Sequence, residues 1–204
     1  SWTSPNSFTY DVSQPTAIVT FPTAWMNPNQ TEVQGTAIDT PSDIKTLEIA
    51  MREVATNMWL NLAKTTFTET SPQFTSTNTW TEGTPDAWTW IRPPLTDGYE
   101  YQFRIKTVDW AGNERIQDIT PTFRYDSSLP QSWVTKPDKP YHSDGTYAVS
   151  PLNTISGTAS DNSLSAVKVA ITTNSASSWW NFVTNQWDSS ESQDTWKNAD
   201  PNPT

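Results

Sequence analysis

Apolar and polar residues alternate along several short segments of the chain, which is the pattern of half-buried β-strands. The clearest segment runs from 99 to 108 and carries an aromatic residue, an isoleucine or a threonine at every second position. Another, Glu32–Ile38, places Val33, Gly35 and Ala37 on one face. The sequence therefore predicts a protein built from short, amphipathic strands.

Further strands are predicted at five places: Ala17–Phe21, Ile44–Met51, Trp59–Thr68, Ala87–Ile91 and Thr120–Tyr125. A helix through 43–63 competes with the strands there, because the stretch contains good helix formers and no Gly or Pro. The two-residue period of Leu47, Ile49 and Met51 favours a strand. About seven short strands separated by turn signals predict an all-β fold, an antiparallel sandwich.

Parts of this pattern occur twice in the chain. The segment Phe8–Pro15 returns as Phe123–Pro130, an offset of 115 residues (126 − 11 for its aspartate). The segment Val33–Asp39 returns as Ile155–Asp161, an offset of 122 (161 − 39), so the second copy contains a longer loop around 143–151. A period as long as a whole domain predicts a tandem array rather than a solenoid of short repeats.

The repeat divides the chain into three parts. Residues 1–14 correspond to the last strand of a preceding repeat, 15–129 to a complete repeat and 130–204 to a partial one. The partial copy lacks a counterpart of the strand at 99–108. Either the sequence is cut from a longer chain or a neighbouring subunit supplies the missing strand.

Three motifs carry a resemblance to a known family: Gly35-Thr36-Ala37-Ile38-Asp39, then Thr107-Val108-Asp109-Trp110-Ala111-Gly112-Asn113, then Tyr125-Asp126-Ser127-Ser128-Leu129-Pro130. Their order resembles the bacterial Ig-like tandem repeats of large secreted or cell-surface proteins. The resemblance implies tandem antiparallel Ig-like β-sandwiches, an extracellular or cell-surface location, and adjacent repeats or subunits as head-to-tail partners.

Composition narrows the classes of partner and chemistry. A net charge of −10 argues against nucleic acid or an anionic membrane as a partner, because both require a basic face. The chain has no Cys and one His, which argues against thiolate chemistry and histidine-rich metal sites.

No apolar run is long enough to span a bilayer. The chain does not open on Met, and we interpret it as a piece of a longer precursor. The 25 aromatic residues among 204 argue against disorder.

Acidic residues recur at the predicted junctions between repeats. In a head-to-tail Ig-like chain, the linker before a domain lies near two loops of that domain, so these side chains are expected to converge. Carboxylate and carbonyl oxygens suit Ca²⁺, and the family resemblance adds that some such arrays hold Ca²⁺ at their junctions. The alternative is that they form Asx turns and cap loops. The candidate ligands are Asp11, Asp39, Asp43, Asp109 and Asn113, with Asp126 and Asp161 as counterparts in the second copy.

The 12 tryptophans admit two interpretations. They form either a stacking platform for sugars or a core of large aromatic side chains. The core is favoured because Trp59 and Trp80 have plausible counterparts, Trp180 and Trp196, in the second copy. Trp110, in the Asp-Trp-Ala-Gly-Asn turn, is the better candidate for an exposed ligand-binding contact.

The function predicted from these features is structural or adhesive and non-catalytic, within a long extracellular surface or filament protein that contacts glycans or surface proteins. No nucleophile elbow, phosphate loop or catalytic pair is recognisable in the sequence. The alternative is a pair of carbohydrate-binding modules attached to a secreted glycan-active enzyme.

Overall fold

The computed structural model describes residues 9–120, 122–136, 154–173 and 177–199. The chain divides into two compact units, Ser1–Ser127 and Ser128–Thr204. The regular structure of the described residues is β-strand, apart from one turn of 3₁₀ helix at Gln193–Thr195. The all-β, antiparallel fold class predicted from the sequence is confirmed. Within the described ranges, no helix is long and apolar enough to cross a membrane.

The described residues of the first unit form twelve strands, numbered in chain order. They are β1 (Thr16–Phe21), β2 (Trp25–Met26), β3 (Glu32–Ile38), β4 (Ile44–Glu53), β5 (Met58–Leu60), β6 (Phe67–Glu69), β7 (Thr75–Ser76), β8 (Thr79–Thr81), β9 (Asp86–Ile91), β10 (Glu100–Asp109), β11 (Glu114–Asp118) and β12 (Phe123–Tyr125).

These strands form two sheets that face each other. The smaller has the order β1-β3-β9-β8, and the larger has the order β2-β12-β10-β4-β5-β6, with β11 also paired to β10 and β7 to β4. If β1, β3, β4, β8, β9, β10 and β11 are taken as strands A to G, the sheets read A-B-E-D and C-F-G. That is the strand order of an Ig-like sandwich.

The core lies between the two sheets and is built mainly from alternate residues of the central strands. Trp88 and Trp90 of β9 are 1% and 0% exposed, and the Trp90 indole N–H donates to Thr75 Oγ1 at 3.0 Å. From the larger sheet, Phe103 stacks on Phe123 with ring centroids 5.1 Å apart. The prediction that tryptophan fills the core is confirmed for β9.

Trp59 is buried at a different place. It pairs with Arg52 in the β4–β5 ladder, and Arg52 is on the outer face of the larger sheet. The guanidinium carbons of Arg52 and Arg104 lie 5.6 and 4.8 Å from the Trp59 ring centroid, and the ring is 5% exposed. Trp59 is therefore covered by cation–π contacts outside the main core.

Two sequence predictions require correction in this unit. The predicted strand Trp59–Thr68 is a hairpin, because Asn61 closes a turn: its side-chain Oδ1 accepts the Thr65 N–H at 2.9 Å, and Lys64 has a positive φ of 57°. The predicted last strand, Thr120–Tyr125, is shorter in the structure, where it is β12, and a strand that was not predicted, β11, precedes it; both pair with β10.

The second unit is described in part and contains three two-stranded sheets. Its strands are β13 (Gln131–Lys136), β14 (Ser156–Ser160), β15 (Lys168–Val169), β16 (Trp179–Asn181), β17 (Gln186–Asp188) and β18 (Lys197–Asn198). The predicted longer loop around 143–151 lies outside the described residues. So do residues 1–8 of the predicted preceding strand (1–14), and its residues 9–14 form no strand.

The first ladder of each unit has the same register. In the first unit Val19 pairs with Gly35, and a bulge follows. In the second unit Val134 pairs with Gly157, again followed by a bulge. A Cβ at Gly35 would lie 2.2 Å from the Ile18 carbonyl oxygen, and one at Gly157 would lie 2.2 Å from that of Trp133. Both positions therefore require glycine for the same steric reason.

Candidate metal centre

Three aspartates from separate parts of the chain meet at one end of the first sandwich. Asp11 lies in the segment that leads into β1, Asp39 directly follows β3, and Asp109 ends β10. Each offers one carboxylate oxygen, and these three oxygens lie within 4.8 Å of one another. The strand pairing explains the convergence, because the start of β1 lies beside the end of β3.

The Asp11 side chain is held but only half satisfied. Its Oδ1 accepts the Ser13 backbone N–H at 2.8 Å, which closes an Asx turn. Its Oδ2 is buried without a hydrogen-bond partner, and the whole residue is only 9% exposed. A buried carboxylate oxygen without a donor is costly, so this atom is suited to a cation.

Asp109 is fully buried and is held by the turn that follows it. The Asn113 backbone N–H donates to Asp109 Oδ1 and the Asn113 side-chain amide donates to Asp109 Oδ2, both at 2.8 Å. The same amide donates to the Asp11 carbonyl oxygen at 3.2 Å. Gly112, with φ of 93°, allows this turn. Asn113 therefore positions Asp109 and the linker, and its side chain presents its N–H₂ group to both.

Asp39 and Asp43 belong to the loop between β3 and β4. The Ser42 hydroxyl donates to Asp39 Oδ2 at 3.1 Å. Asp43 has a positive φ of 66°, its Oδ1 accepts the Ile44 N–H at 2.8 Å, and its carbonyl oxygen accepts the Trp110 N–H at 3.2 Å. Asp43 thus connects this loop to the Asp109–Asn113 turn and is not among the three clustered carboxylates.

The spacing of the three oxygens suits a calcium ion. Three points no more than 4.8 Å apart share a centre within about 2.8 Å of each (4.8/√3), and Ca²⁺–oxygen distances are roughly 2.3–2.6 Å. Shifts of a few tenths of an ångström would complete the contacts. Mg²⁺ requires roughly 2.0–2.1 Å and regular octahedral geometry, which is a stricter requirement than that of Ca²⁺.

Burial and neighbouring groups shift the pKa values of two of the clustered aspartates. Burial raises the pKa of Asp39, and the neighbouring charges of Asp11 and Asp109 raise it further. The pKa of Asp11 is lowered, first by the nearby Ser42 hydroxyl, against a smaller opposing effect of burial. The two pKa values move in opposite directions because the Ser42 hydroxyl has the largest effect at Asp11, whereas burial has the largest effect at Asp39.

One acidic residue of this loop region was not predicted. Asp86 begins β9 and is 2% exposed, and its Oδ1 accepts the Gly83 N–H at 2.7 Å. Burial raises the pKa of Asp86, and the charges of Asp43 and Glu82 add to this. The sequence holds no signal for it, since Asp86 follows a Gly-Thr-Pro turn where an exposed polar residue is the ordinary expectation.

The counterparts in the second copy lie in separate units. Asp126 belongs to the first unit, is 5% exposed and donates its backbone N–H to the Met26 carbonyl oxygen at 2.9 Å. Asp161 belongs to the second unit, where Ser163 donates both its N–H and its hydroxyl to Asp161 Oδ2 at 3.2 Å. The proposed calcium roles of Asp126 and Asp161 remain predictions.

Trp110 projects from the Asp109–Asn113 turn. It is 67% exposed, and the Lys45 ammonium lies 5.6 Å from its ring centroid. This exposure is consistent with the predicted role of Trp110 as a ligand-binding contact. That Trp110 binds a ligand stays a prediction. In the second unit Trp187 and Trp196 are 50% and 40% exposed, so the core interpretation does not extend to them in the described part of that unit.

Comparison with known proteins adds little to this geometry. No protein-family model matches the chain, and no curated protein matches it. Among solved structures, a murine CRIg structure is similar over 56% of this chain and 98% of its own, with 9% sequence identity and a TM-score of 0.30.

Proposed function

We propose that this chain is part of a structural or adhesive repeat region of a long extracellular surface or filament protein. In this proposal it is non-catalytic, its partners are adjacent repeats arranged head to tail, and a Ca²⁺ ion bound by Asp11, Asp39 and Asp109 fixes the linker to the domain that follows.

The observation that carries the proposal is the origin of the three carboxylates. Asp11 belongs to the segment before β1, whereas Asp39 follows β3 and Asp109 is the last residue of β10. An ion bound by all three would hold the entering chain against the domain. Asp11 Oδ2, buried and without a donor, is the atom that gains most from such an ion.

The tandem arrangement is supported by the two first ladders. Their pairs Val19–Gly35 and Val134–Gly157 occupy equivalent positions, and a bulge follows each. Two copies of one strand pairing within one chain are the expected product of duplication, and a duplicated domain is suited to spacing or adhesion.

The alternative function is glycan binding, and exposed Trp110 favours it. A glycan array probed with the chain and with its Trp110→Ala variant separates the two. Glycan binding that is lost in Trp110→Ala would replace the structural proposal with a carbohydrate-binding module.

The structural proposal predicts no glycan binding and a calcium-dependent change in dimensions. Small-angle scattering of the chain in Ca²⁺ and in chelator should give a longer maximum dimension with Ca²⁺, and the Asp109→Asn variant should give the same curve in both. Identical wild-type curves in the two buffers would count against a calcium-fixed linker.

A further inference from the structure

Charge is unevenly divided between the two outer faces of the first sandwich. On the larger sheet, the outward residues of β4, β10 and β11 are those at 46, 48, 50 and 52, at 100, 102, 104, 106 and 108, and at 114, 116 and 118. Seven of these twelve are charged. Ion pairs such as Arg104–Asp118 at 2.7 Å and Lys106–Glu48 at 3.6 Å join neighbours on this face. The larger sheet therefore meets the solvent with a network of charges.

The smaller sheet presents an outer face that is almost free of charge. We call it the neutral face, and it consists of the outward residues at 16 and 18 of β1, at 32, 34, 36 and 38 of β3, at 87, 89 and 91 of β9, and at 79 and 81 of β8. Of these eleven residues five are threonine and three isoleucine, and Glu32 at one end of β3 is the only charged one. Ile18, Ile38 and Ile91 are 53%, 42% and 48% exposed. The charge of the sandwich is thus concentrated on the larger sheet, and the smaller sheet exposes methyl and hydroxyl groups.

The second unit has an uncharged face at the equivalent strands. Its β13–β14 ladder has the register of the β1–β3 ladder, which makes four outward positions of the two units equivalent. They are Thr16, Ile18, Thr36 and Ile38 in the first unit, and Gln131, Trp133, Thr158 and Ser160 in the second. The units differ at three of these four positions, yet neither unit carries a charge at any of them. Ile18 and its equivalent Trp133 are both apolar and more than half exposed, at 53% and 54%.

The side chains of the neutral face are short enough to pack against another sheet. A row formed by Ile18, Thr36, Ala87 and Thr81 crosses all four strands at the middle of the face. Two sheets that pack face to face lie about 10 Å apart with their strands roughly 30° out of alignment. The hydroxyls of Thr79 and Thr89 already bond to each other at 2.7 Å, so a second sheet that excludes water there leaves neither hydroxyl without a partner.

Charge favours a second copy of this chain as the partner of the neutral face. Two copies with a net charge of −10 each repel one another, and like charges brought into contact oppose association. Copies can therefore approach closely only through surfaces that carry little charge. A basic partner would be attracted elsewhere, since Glu32 is the one acid it would meet on this face. A two-fold axis through the middle of the neutral face places it against itself, as in most paired proteins.

We propose that two copies of this chain associate side by side through the neutral faces of their first sandwiches. The proposal deepens the structural role proposed above, and rests on it, by naming a lateral partner in addition to the head-to-tail ones. The face measures roughly 19 by 24 Å, or about 450 Å², since β3 has seven residues and the four strands lie about 4.8 Å apart. A stable interface needs about 800 Å² per partner. One pair of faces therefore binds weakly, and strong lateral association requires several repeats that act together.

Sedimentation of the full chain at increasing concentration tests this contact, in chelator so that the calcium site plays no part. The average mass of the wild type should rise towards that of a dimer between about 10 µM and about 1 mM. Thr36→Lys should stay monomeric throughout, because it sets like charges against each other at the middle of the two-fold contact. The same substitution changes the net charge from −10 to −9, so general repulsion between copies cannot explain a loss of association.

Thr46→Lys is the matched control, since Thr46 is an exposed, outward threonine of the larger sheet. It makes the same change in charge and should associate as the wild type does. A mixture of Thr36→Lys and Thr36→Glu chains should recover association, because opposite charges then meet at the middle of the contact. Urea unfolding of each variant verifies that the sandwich is folded. Association that Thr36→Lys retains, or that Thr46→Lys loses to the same extent, would overturn the proposal.

Small-angle scattering of the wild type at the highest concentration needs no substitution and separates the lateral contact from head-to-tail association. Both kinds of pair have twice the mass of the monomer, but a side-by-side pair should extend the maximum dimension much less than an end-to-end pair does. A wild-type chain that stays monomeric at every concentration, or that pairs only end to end, would refute the lateral contact. Either result would leave the calcium site and the repeat role standing, because neither depends on the neutral face.

Discussion

Replacing Asp39 by asparagine should stabilise the calcium-free protein and destabilise the calcium-bound protein relative to the wild type. Asp39 lies within 4.8 Å of two other carboxylates, and the substitution removes one negative charge while keeping an oxygen that accepts the Ser42 hydroxyl. The opposite signs in the two conditions distinguish a metal site from an ordinary loop.

The magnitude follows from the spacing. Two unit charges about 4.8 Å apart repel by about 3.5 kcal/mol at an effective dielectric constant near 20, and solvent around the partly exposed Asp39 reduces this to the ~1 kcal/mol typical of surface pairs. Because Asp39 has two such neighbours, Asp11 and Asp109, Asp39→Asn should raise the free energy of unfolding in chelator by about 1–2 kcal/mol. Ca²⁺ at 100 times its Kd should raise the free energy of unfolding of the wild type by about 2.7 kcal/mol. The variant should lose most of this stabilisation because it lacks the Asp39 carboxylate.

Thermal unfolding followed by tryptophan fluorescence measures both effects, and each kcal/mol should shift Tm by about 4 °C. Glu32→Gln, at an exposed position outside the cluster, controls for the change in net charge and should behave as the wild type in both buffers. A lower Tm for Asp39→Asn in chelator, or a wild-type Tm that ignores Ca²⁺, would refute the reasoning.

Two further predictions concern packing and pH. Gly35→Ala places a Cβ 2.1 Å from the Trp88 ring and should lower the free energy of unfolding in urea by about 3 kcal/mol or more. Gly157→Ala should destabilise the second unit instead. A urea midpoint for Gly35→Ala equal to that of the wild type would contradict the packing. In chelator, the raised pKa values of Asp39 and Asp86, both caused first by burial, mean that the folded state holds these protons more tightly than the unfolded state. That stabilising contribution is full below their unfolded pKa and is lost as pH rises through the raised values. Stability should therefore increase as pH falls from neutral through the raised values, and a flat profile in denaturant titrations would contradict this.

The strands that bury one face could be predicted closely from the sequence. The predicted bounds of β3, Glu32–Ile38, coincide with the observed ones, and those of β10 differ by one residue. In both, apolar and polar residues alternate because one face packs against the opposite sheet. The observed ends of β4 and β9 extend the predicted segments by one or two residues for the same reason.

β11 could not be predicted in this way because its inward-facing side chains are polar and form hydrogen bonds. Its one aliphatic residue, Ile116, is 50% exposed, and the side chains that face the sandwich are donors to the neighbouring segment. Periodic hydrophobicity carries no information about such a strand. The turn at Asn61 was missed for a similar reason, since it depends on side-chain hydrogen bonds without Gly or Pro.

The sequence predicted which aspartates form the candidate site, but it did not predict what each neighbouring residue does there. Asp11, Asp39 and Asp109 converge as the sequence motifs suggested. The bonds of Asn113, which make it a positioning residue for Asp109, depend on the three-dimensional form of the turn. The burial of Asp86 likewise depends on how β9 enters the sandwich, which no motif records.

Calorimetric titration of Ca²⁺ into the chelator-treated full chain is the most direct test of the central claim, that the linker and two loops form one calcium site. We predict saturable Ca²⁺ binding, markedly weaker Mg²⁺ binding, and loss of the calcium signal in Asp11→Asn and in Asp109→Asn, with Glu32→Gln retaining it. Absence of Ca²⁺ binding by the folded wild-type chain, or calcium binding that both aspartate variants retain in full, would contradict the account.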